Sequence, residues 1–415
     1  MKGRTFCIIF ILYCIFGLLL YEVRLFTVID ELTAFMFGLL VAIRTINHKI
    51  SLSKAFLLWI LIDVFYLGYS FVIHSNQPLA IISDCAMQSK PYMMFFALIA
   101  LKPQISINEC RILQIFLIFM LMAVLFIAYL YPHKDNSTHV GDLLTGAALS
   151  CVSIIFAVAF YIFSQNDSWI TKLIVIILAL PGFLHPTSKF MGQLIVIILV
   201  MFLIKKKIRF NIYYVALFFI SFVVISYAIW DDFQFYFLTD SEYNARAVMY
   251  MNMPNVLVDN IPFGSGFATY STFASGIWYS SLYSKYDMEY IWGLQEGDAS
   301  FIADTYYPSL AQYGFVGVAL FIWLLVYIYR KSSALYDSTN NLKQYKTALI
   351  TLAVIMIECT TGSFSNERSI MQMMLIYLSI TPLRKSDRIS QINSFGLSFA
   401  KSHKKEESNE SAADK

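Results

Sequence analysis

Apolar runs of about 20 residues recur along almost the whole chain, and a helix needs a run of that length to cross the hydrocarbon core of a bilayer. Of the 415 residues, 58% are hydrophobic and only 14% charged, too little polar side chain to cover a water-soluble globule of this size. The chain therefore reads as an all-α polytopic membrane protein. Twelve crossings are expected, at 5–20, 25–43, 55–73, 79–101, 112–131, 145–163, 169–184, 190–204, 212–230, 309–329, 347–362 and 370–383. The first follows Lys2 and Arg4 and leads into a second apolar run rather than a small-residue cleavage site, so it reads as a retained span. The fourth contains Asp84, Lys90 and Pro91 and is expected to be broken or partly re-entrant.

An even number of spans puts both termini on one side. If that side is the cytoplasm, 23 of the 30 Lys and Arg residues fall inside, as the positive-inside rule requires. The other seven are Arg24, Lys90, Lys134, Lys189, Arg246, Lys285 and Arg368. The expected organisation is nine spans in residues 1–230, one large outer loop at 231–308, three spans in 309–383 and a polar cytoplasmic tail at 384–415. Six cysteines sit in or beside apolar runs with no CxxC spacing, which suggests neither zinc nor a disulfide framework. No internal repeat is visible, which counts against a transporter built from two related halves.

The outer loop is where the sequence is richest in chemistry. Its 78 residues hold ten acids, nineteen aromatics and only two bases, Arg246 and Lys285. Aromatic faces beside carboxylates suit carbohydrate, whose C–H faces pack on rings while its hydroxyls donate to carboxylates. An aromatic belt at the lipid headgroups accounts for the same composition. The stretch "DSEYNARAVMYMNM" predicts a short helix capped by Asp240 or Ser241, with Arg246, Met249, Tyr250 and Met253 on one face and Pro254 ending or kinking it. "NIPFGSGFATY" then predicts a turn in which Gly264 and Gly266 allow positive φ and close backbone approach. Arg246 is either a headgroup anchor or an anion ligand. Acids placed near the same side, Asp30, Glu31, Asp84 and Glu358, suggest an outward-opening polar cavity or helix-capping contacts, because charge at membrane depth is costly. Asp63, near the middle of its span, is the exception.

Three stretches then give a likeness. "HPTSKFMGQL" at 185–194, "NARAVMYMNM" with "NIPFGSGFATY", and "ADTYYPSLAQYGFVGVALFIWLL" at 303–325 resemble, in this order around one large loop, the Wzy-type O-antigen polymerases and more distantly the O-antigen ligases. The likeness covers roughly 169–330; the first 168 residues match only in being hydrophobic. Lys189 stands where the family usually has arginine, and Gly314 and Gly317 stand where its Gly-x-x-Gly pair opens the next span. Ligases carry a histidine where this chain has Ala303, with Asp304 beside it, which argues against a ligase.

The resemblance implies a glycosyltransferase C-like fold in the bacterial inner membrane and, as substrate, an oligosaccharide repeat on undecaprenyl diphosphate at the periplasmic face. Partners implied are a Wzz-type chain-length regulator and a Wzx-type flippase, with no cofactor, metal or nucleic acid. Charge develops on the departing diphosphate, so fixed cations are expected to receive it; guanidinium binds phosphate oxygens bidentately. Arg246 is the first choice, then Lys189 and Arg368. For the acceptor hydroxyl the candidate bases are Asp304, then Asp298 and Glu296, while His185 before Pro186 reads as a turn residue. Gly264, Gly266, Tyr250 and Tyr306 complete the expected substrate-binding set. A flippase or other transporter of lipid-linked oligosaccharide, or a ligase, is the rival reading.

Overall fold

The computed structural model describes residues 1–19, 28–51, 53–130, 147–208 and 244–382. The expected ninth span, the start of the large loop and the polar tail lie outside the described residues. Everything described is helix, turn or irregular chain, with two isolated bridges and no strand. Among the described residues three helices are both long and apolar enough to cross a membrane, at Lys54–Val72, Ile107–Phe126 and Pro308–Thr339; the apolar helices Gly3–Leu19, Leu149–Phe163, Trp169–Leu184 and Ser188–Leu203 are shorter. The architecture is that of a helical membrane protein.

In chain order the membrane-type helices are α1 (Gly3–Leu12, continued by a π-helical stretch Tyr13–Leu19), α2 (Ile29–Ile46), α3 (Lys54–Val72), α4 (Pro78–Leu101), α5 (Ile107–Leu130), α6 (Ala147–Phe163), α7 (Trp169–Ala179) and α8 (Ser188–Leu203). The large loop contributes α9 (Ala245–Asp259) and two short helices, α10 (Phe273–Ile277) and α11 (Ser281–Lys285); α12 (Gly314–Thr339), α13 (Leu342–Glu358) and α14 (Glu367–Ser379) follow. The fourth expected span is one uninterrupted helix, α4, with Pro91 inside it. The helix of the loop is capped by Asn244, whose side chain accepts the N–H of Arg246 and Ala247; the expected caps Asp240 and Ser241 lie outside the described residues. Pro254 does not end it: the helix runs on to Asp259. Proline removes one N–H from the helix ladder, and here it sits on the exposed face.

Helices α6 and α14 are buried on nearly every side and form the centre of the bundle, with α4 and α13 against α14. The surrounding helices turn large apolar side chains outward: Leu61, Val64 and Phe65 on α3, Ile115 and Phe119 on α5, Trp169 and Ile170 on α7. A surface of this kind is stable where lipid tails rather than water solvate it. Inside, several ionisable groups find polar partners across helices. Lys90 on α4 bonds to Asp30 and, at 2.8 Å, to Glu31 on α2, and Ser89 donates to Asp63 on α3 at 2.5 Å. All six cysteines are buried and free.

The loop residues bury a cluster of their own around Met249, Tyr270, Tyr283, Met288, Leu294 and Ile302. Backbone contacts fasten this unit to the bundle. The fully buried Asp84 accepts the N–H of Ala268 at 2.6 Å, Ser70 accepts that of Phe267 at 2.9 Å, and Tyr69 donates to the carbonyl of Gly264 at 2.8 Å. Gly264 has φ of 83°, and a Cβ there would come within 2.2 Å of the backbone nitrogen of Gly314. Gly264→Ala is therefore expected to cost about 1–2 kcal/mol from the left-handed backbone alone and more from the clash. A purified variant with an unchanged melting temperature would contradict this account of the turn.

Candidate functional site

Two cations reach one turn of the chain from two helices, and a third stands on a loop helix tied to that turn. The turn joins α13 to α14 and begins at Glu358, whose side chain is only 2% exposed. An acid at a helix C-terminus meets the negative end of the dipole, so burial here requires cationic company. Lys189, in the first turn of α8, donates to Glu358 Oε1 at 2.9 Å and to the carbonyl of Thr361 at 3.5 Å. Gln193, four residues on and so on the same helix face, donates to Glu358 Oε2 at 3.0 Å. Arg368, in the first turn of α14, lies 4.0 Å from Glu358 Oε1 and bonds Glu367 at 2.7 Å. Cys151 on α6 closes the group, its Sγ 3.7 Å from both Glu358 oxygens.

Arg246 approaches from the loop side. The Asn244 cap fixes it in the first turn of α9, where a cation gains nothing from the helix dipole; its stabilisation comes instead from partners across the loop. Nη2 bonds Asp304 Oδ2 at 2.6 Å, and the guanidinium lies 5.6 Å from the centre of the Phe301 ring, a cation–π distance. The pair is at the surface, with 23% of the arginine and 37% of the aspartate side chain exposed. One turn along α9, the Tyr250 hydroxyl donates to the carbonyl of Thr360 at 2.7 Å, which ties the arginine's helix to the Glu358 turn. Burial raises the pKa of the Tyr250 phenol, so it stays a neutral donor.

The strand of chain that carries Asp304 is fastened to the same turn. The N–H groups of Tyr306 and Tyr307 reach the carbonyl of Cys359 at 3.2 and 3.4 Å, and the Tyr307 hydroxyl donates to that of Met356 at 2.8 Å. The structure thus draws Tyr250, Lys189 and Arg368 onto residues 356–368, and the Arg246–Asp304 pair sits on the two loop segments fastened there. Three cations face three carboxylates, Asp304, Glu358 and Glu367. Such a group can take an anion by exchange, phosphate oxygens replacing a carboxylate on a guanidinium fork.

Of the other expected site residues, Tyr306 lies beneath the turn, while Gly264, Gly266, Asp298 and Glu296 make no contact with it. Tyr306 is buried, hydrogen-bonded to Tyr92 and packed edge-on to Phe364. Gly264 and Gly266 have their backbones closed in by residues 311–314 and by Ser70 and Ser75. Asp298 accepts from Ser300 at 2.9 Å, and Glu296, two residues before it, is exposed. Sequence reasoning placed Glu358 only among acids of one side, and it missed Gln193, Cys151 and Glu367. The Lys189 and Gln193 spacing was a legible signal, since i and i+4 share a face; Cys151 carries no such mark. No protein-family model matches the chain, and no curated protein matches it.

Proposed function

We propose that the chain joins oligosaccharide repeat units carried on undecaprenyl diphosphate, as a surface-glycan polymerase working at the outer face of a bacterial inner membrane. The observation that supports this reading is that Lys189 and Arg368 meet at one turn, to which Tyr250 ties the helix carrying Arg246, where the loop unit meets the helices. A lipid-linked diphosphate has to lie at that boundary, because its chain needs lipid and its sugar needs water.

In the proposed step the acceptor hydroxyl oxygen bonds to the anomeric carbon as that carbon's bond to the diphosphate oxygen breaks. The electron pair leaves with the diphosphate, which fixed cations stabilise without a proton donor. Arg246 receives phosphate oxygens in place of Asp304. The carboxylate so released takes the proton of the acceptor hydroxyl. Lys189 and Arg368, paired with Glu358 and Glu367, offer further donors beneath once an anion displaces a carboxylate.

Purified protein given lipid-linked repeat units in detergent is expected to make glycan of two or more repeats with release of the lipid diphosphate. Absence of any longer product, with translocation of the same substrate across vesicles, would replace the polymerase reading by a transporter. Transfer only to a lipid A core acceptor would make it a ligase.

A further inference from the structure

The loop unit contains a cavity that the proposed chemistry leaves unused. It has a volume of about 430 Å³ and lies between α10 and residues 296–303. Phe273 and Ile277 line it and are each more than half exposed, at 54% and 55%. Glu296, Ser300, Tyr279 and Ala303 complete the part of the lining that carries chemistry. We infer that this cavity is a saccharide subsite that takes a pyranose ring without negative charge, with Glu296 as the acceptor for its hydroxyls. The inference rests on the reading of the chain as a glycan-joining enzyme and adds to it the place where the sugar end is held.

Four observations carry it. The volume falls among small-molecule clefts, which run from about 300 to 1,000 Å³. The lining offers both surfaces a pyranose has: apolar side chains for its C–H faces and polar groups for its hydroxyls. Among the described residues Glu296 has no hydrogen-bond or salt-bridge partner, and it is the one charged group of the lining. An exposed carboxylate with no cation beside it repels phosphate and accepts hydroxyl protons. Tyr279 is already oriented by donating to the carbonyl of Leu294 at 2.6 Å; burial, then Glu289 and Glu296, push its phenol up to about 12, so it presents a neutral ring edge.

Position supplies the last observation. Ala303 forms one wall, and the next residue is Asp304, bonded to Arg246; neighbouring Cα atoms are about 3.8 Å apart. Phe301, under the Arg246 guanidinium, belongs to the same short segment. Charge is therefore sorted along the loop unit: cations paired with carboxylates on the side of the Glu358 turn, and a carboxylate without a cation in the cavity beyond. A lipid-linked sugar diphosphate is sorted the same way, with its anion next to the lipid and its polyol farther out.

The test uses the full-length purified protein, an oligosaccharide of one repeat released by mild acid from the host's own surface glycan, and inorganic pyrophosphate as the anion probe. Two variants address the cavity: Glu296→Gln, which keeps the shape of an exposed side chain, and Ser300→Trp, which fills the space from its exposed rim. Both are expected to weaken oligosaccharide binding at least tenfold and to leave pyrophosphate binding unchanged. Arg246→Ala should do the opposite. In the joining assay Glu296→Gln is expected to raise KM about tenfold with kcat retained, the signature of lost binding rather than lost proton transfer. A fall in kcat at constant KM, or oligosaccharide affinity unchanged in both variants, overturns the subsite while wild-type joining activity keeps the polymerase reading. Oligosaccharide binding that both variants lose, in a protein that joins nothing, supports the subsite and removes the polymerase reading. Wild-type protein that binds no oligosaccharide overturns the subsite outright.

Discussion

Arg246→Ala is expected to lower the rate of glycan joining about 10²- to 10³-fold, the usual cost of removing one donor that faces developing negative charge. Cells carrying it should display single-repeat surface glycan, with the protein still folded in the membrane. Folding should survive because the arginine lies at the surface: its partner Asp304 is 37% exposed and is readily hydrated once alone, and exposed ion pairs contribute little to stability. Loss of the contact with Phe301 removes a further small term. Arg246→Lys keeps the charge and loses the planar fork, so its glycan should be intermediate in length. Gel laddering of surface glycan reads all three proteins at once, and a normal long-chain ladder from the alanine variant would take Arg246 out of the chemistry.

The second large effect is on stability. Glu358→Ala leaves Lys189, whose side chain is only 10% exposed, without its carboxylate, and breaking a buried pair from one side costs about 3–5 kcal/mol. Arg368 retains Glu367 at 2.7 Å and suffers less. The neutral pair Lys189→Met with Glu358→Gln is expected to recover about 1–3 kcal/mol relative to the sum of the single changes, as contacting residues do. Thermal unfolding of the purified variants gives the cycle. Strict additivity would mean that the two side chains do not share the energy their 2.9 Å contact implies. The double variant should also be inactive in glycan joining despite being folded, because the cations of the turn lose a member.

The two sites of change differ in how far the sequence announces them. Arg246 is conspicuous as one of two bases among the ten acids and nineteen aromatics of the loop. Glu358 is one acid at the end of an apolar run, and nothing beside it points to Lys189, 169 residues earlier. Local rules also competed with one another. Asp240, Ser241 and Asn244 are all good N-caps, and the sequence does not rank them; the cap in use is the one that places Arg246 within reach of Asp304. The Gly264 turn was legible as a turn, because only glycine tolerates its φ without strain. Its purpose was not: the close approach it permits is to Gly314 of the same chain.

By itself the sequence determined the helical character and the apolar segments that need lipid, because run length and side-chain polarity are properties of neighbouring residues. It also determined that charge would be scarce and that acids would outnumber bases ten to two in one loop. The tertiary structure alone decided which charges meet. Arg246 finds Asp304 across 58 residues, and Lys189 and Arg368 find Glu358 from two other helices. Ion pairs of this separation leave no periodic trace in the chain. They are fixed by how helices pack and by the cost of burying a charge alone.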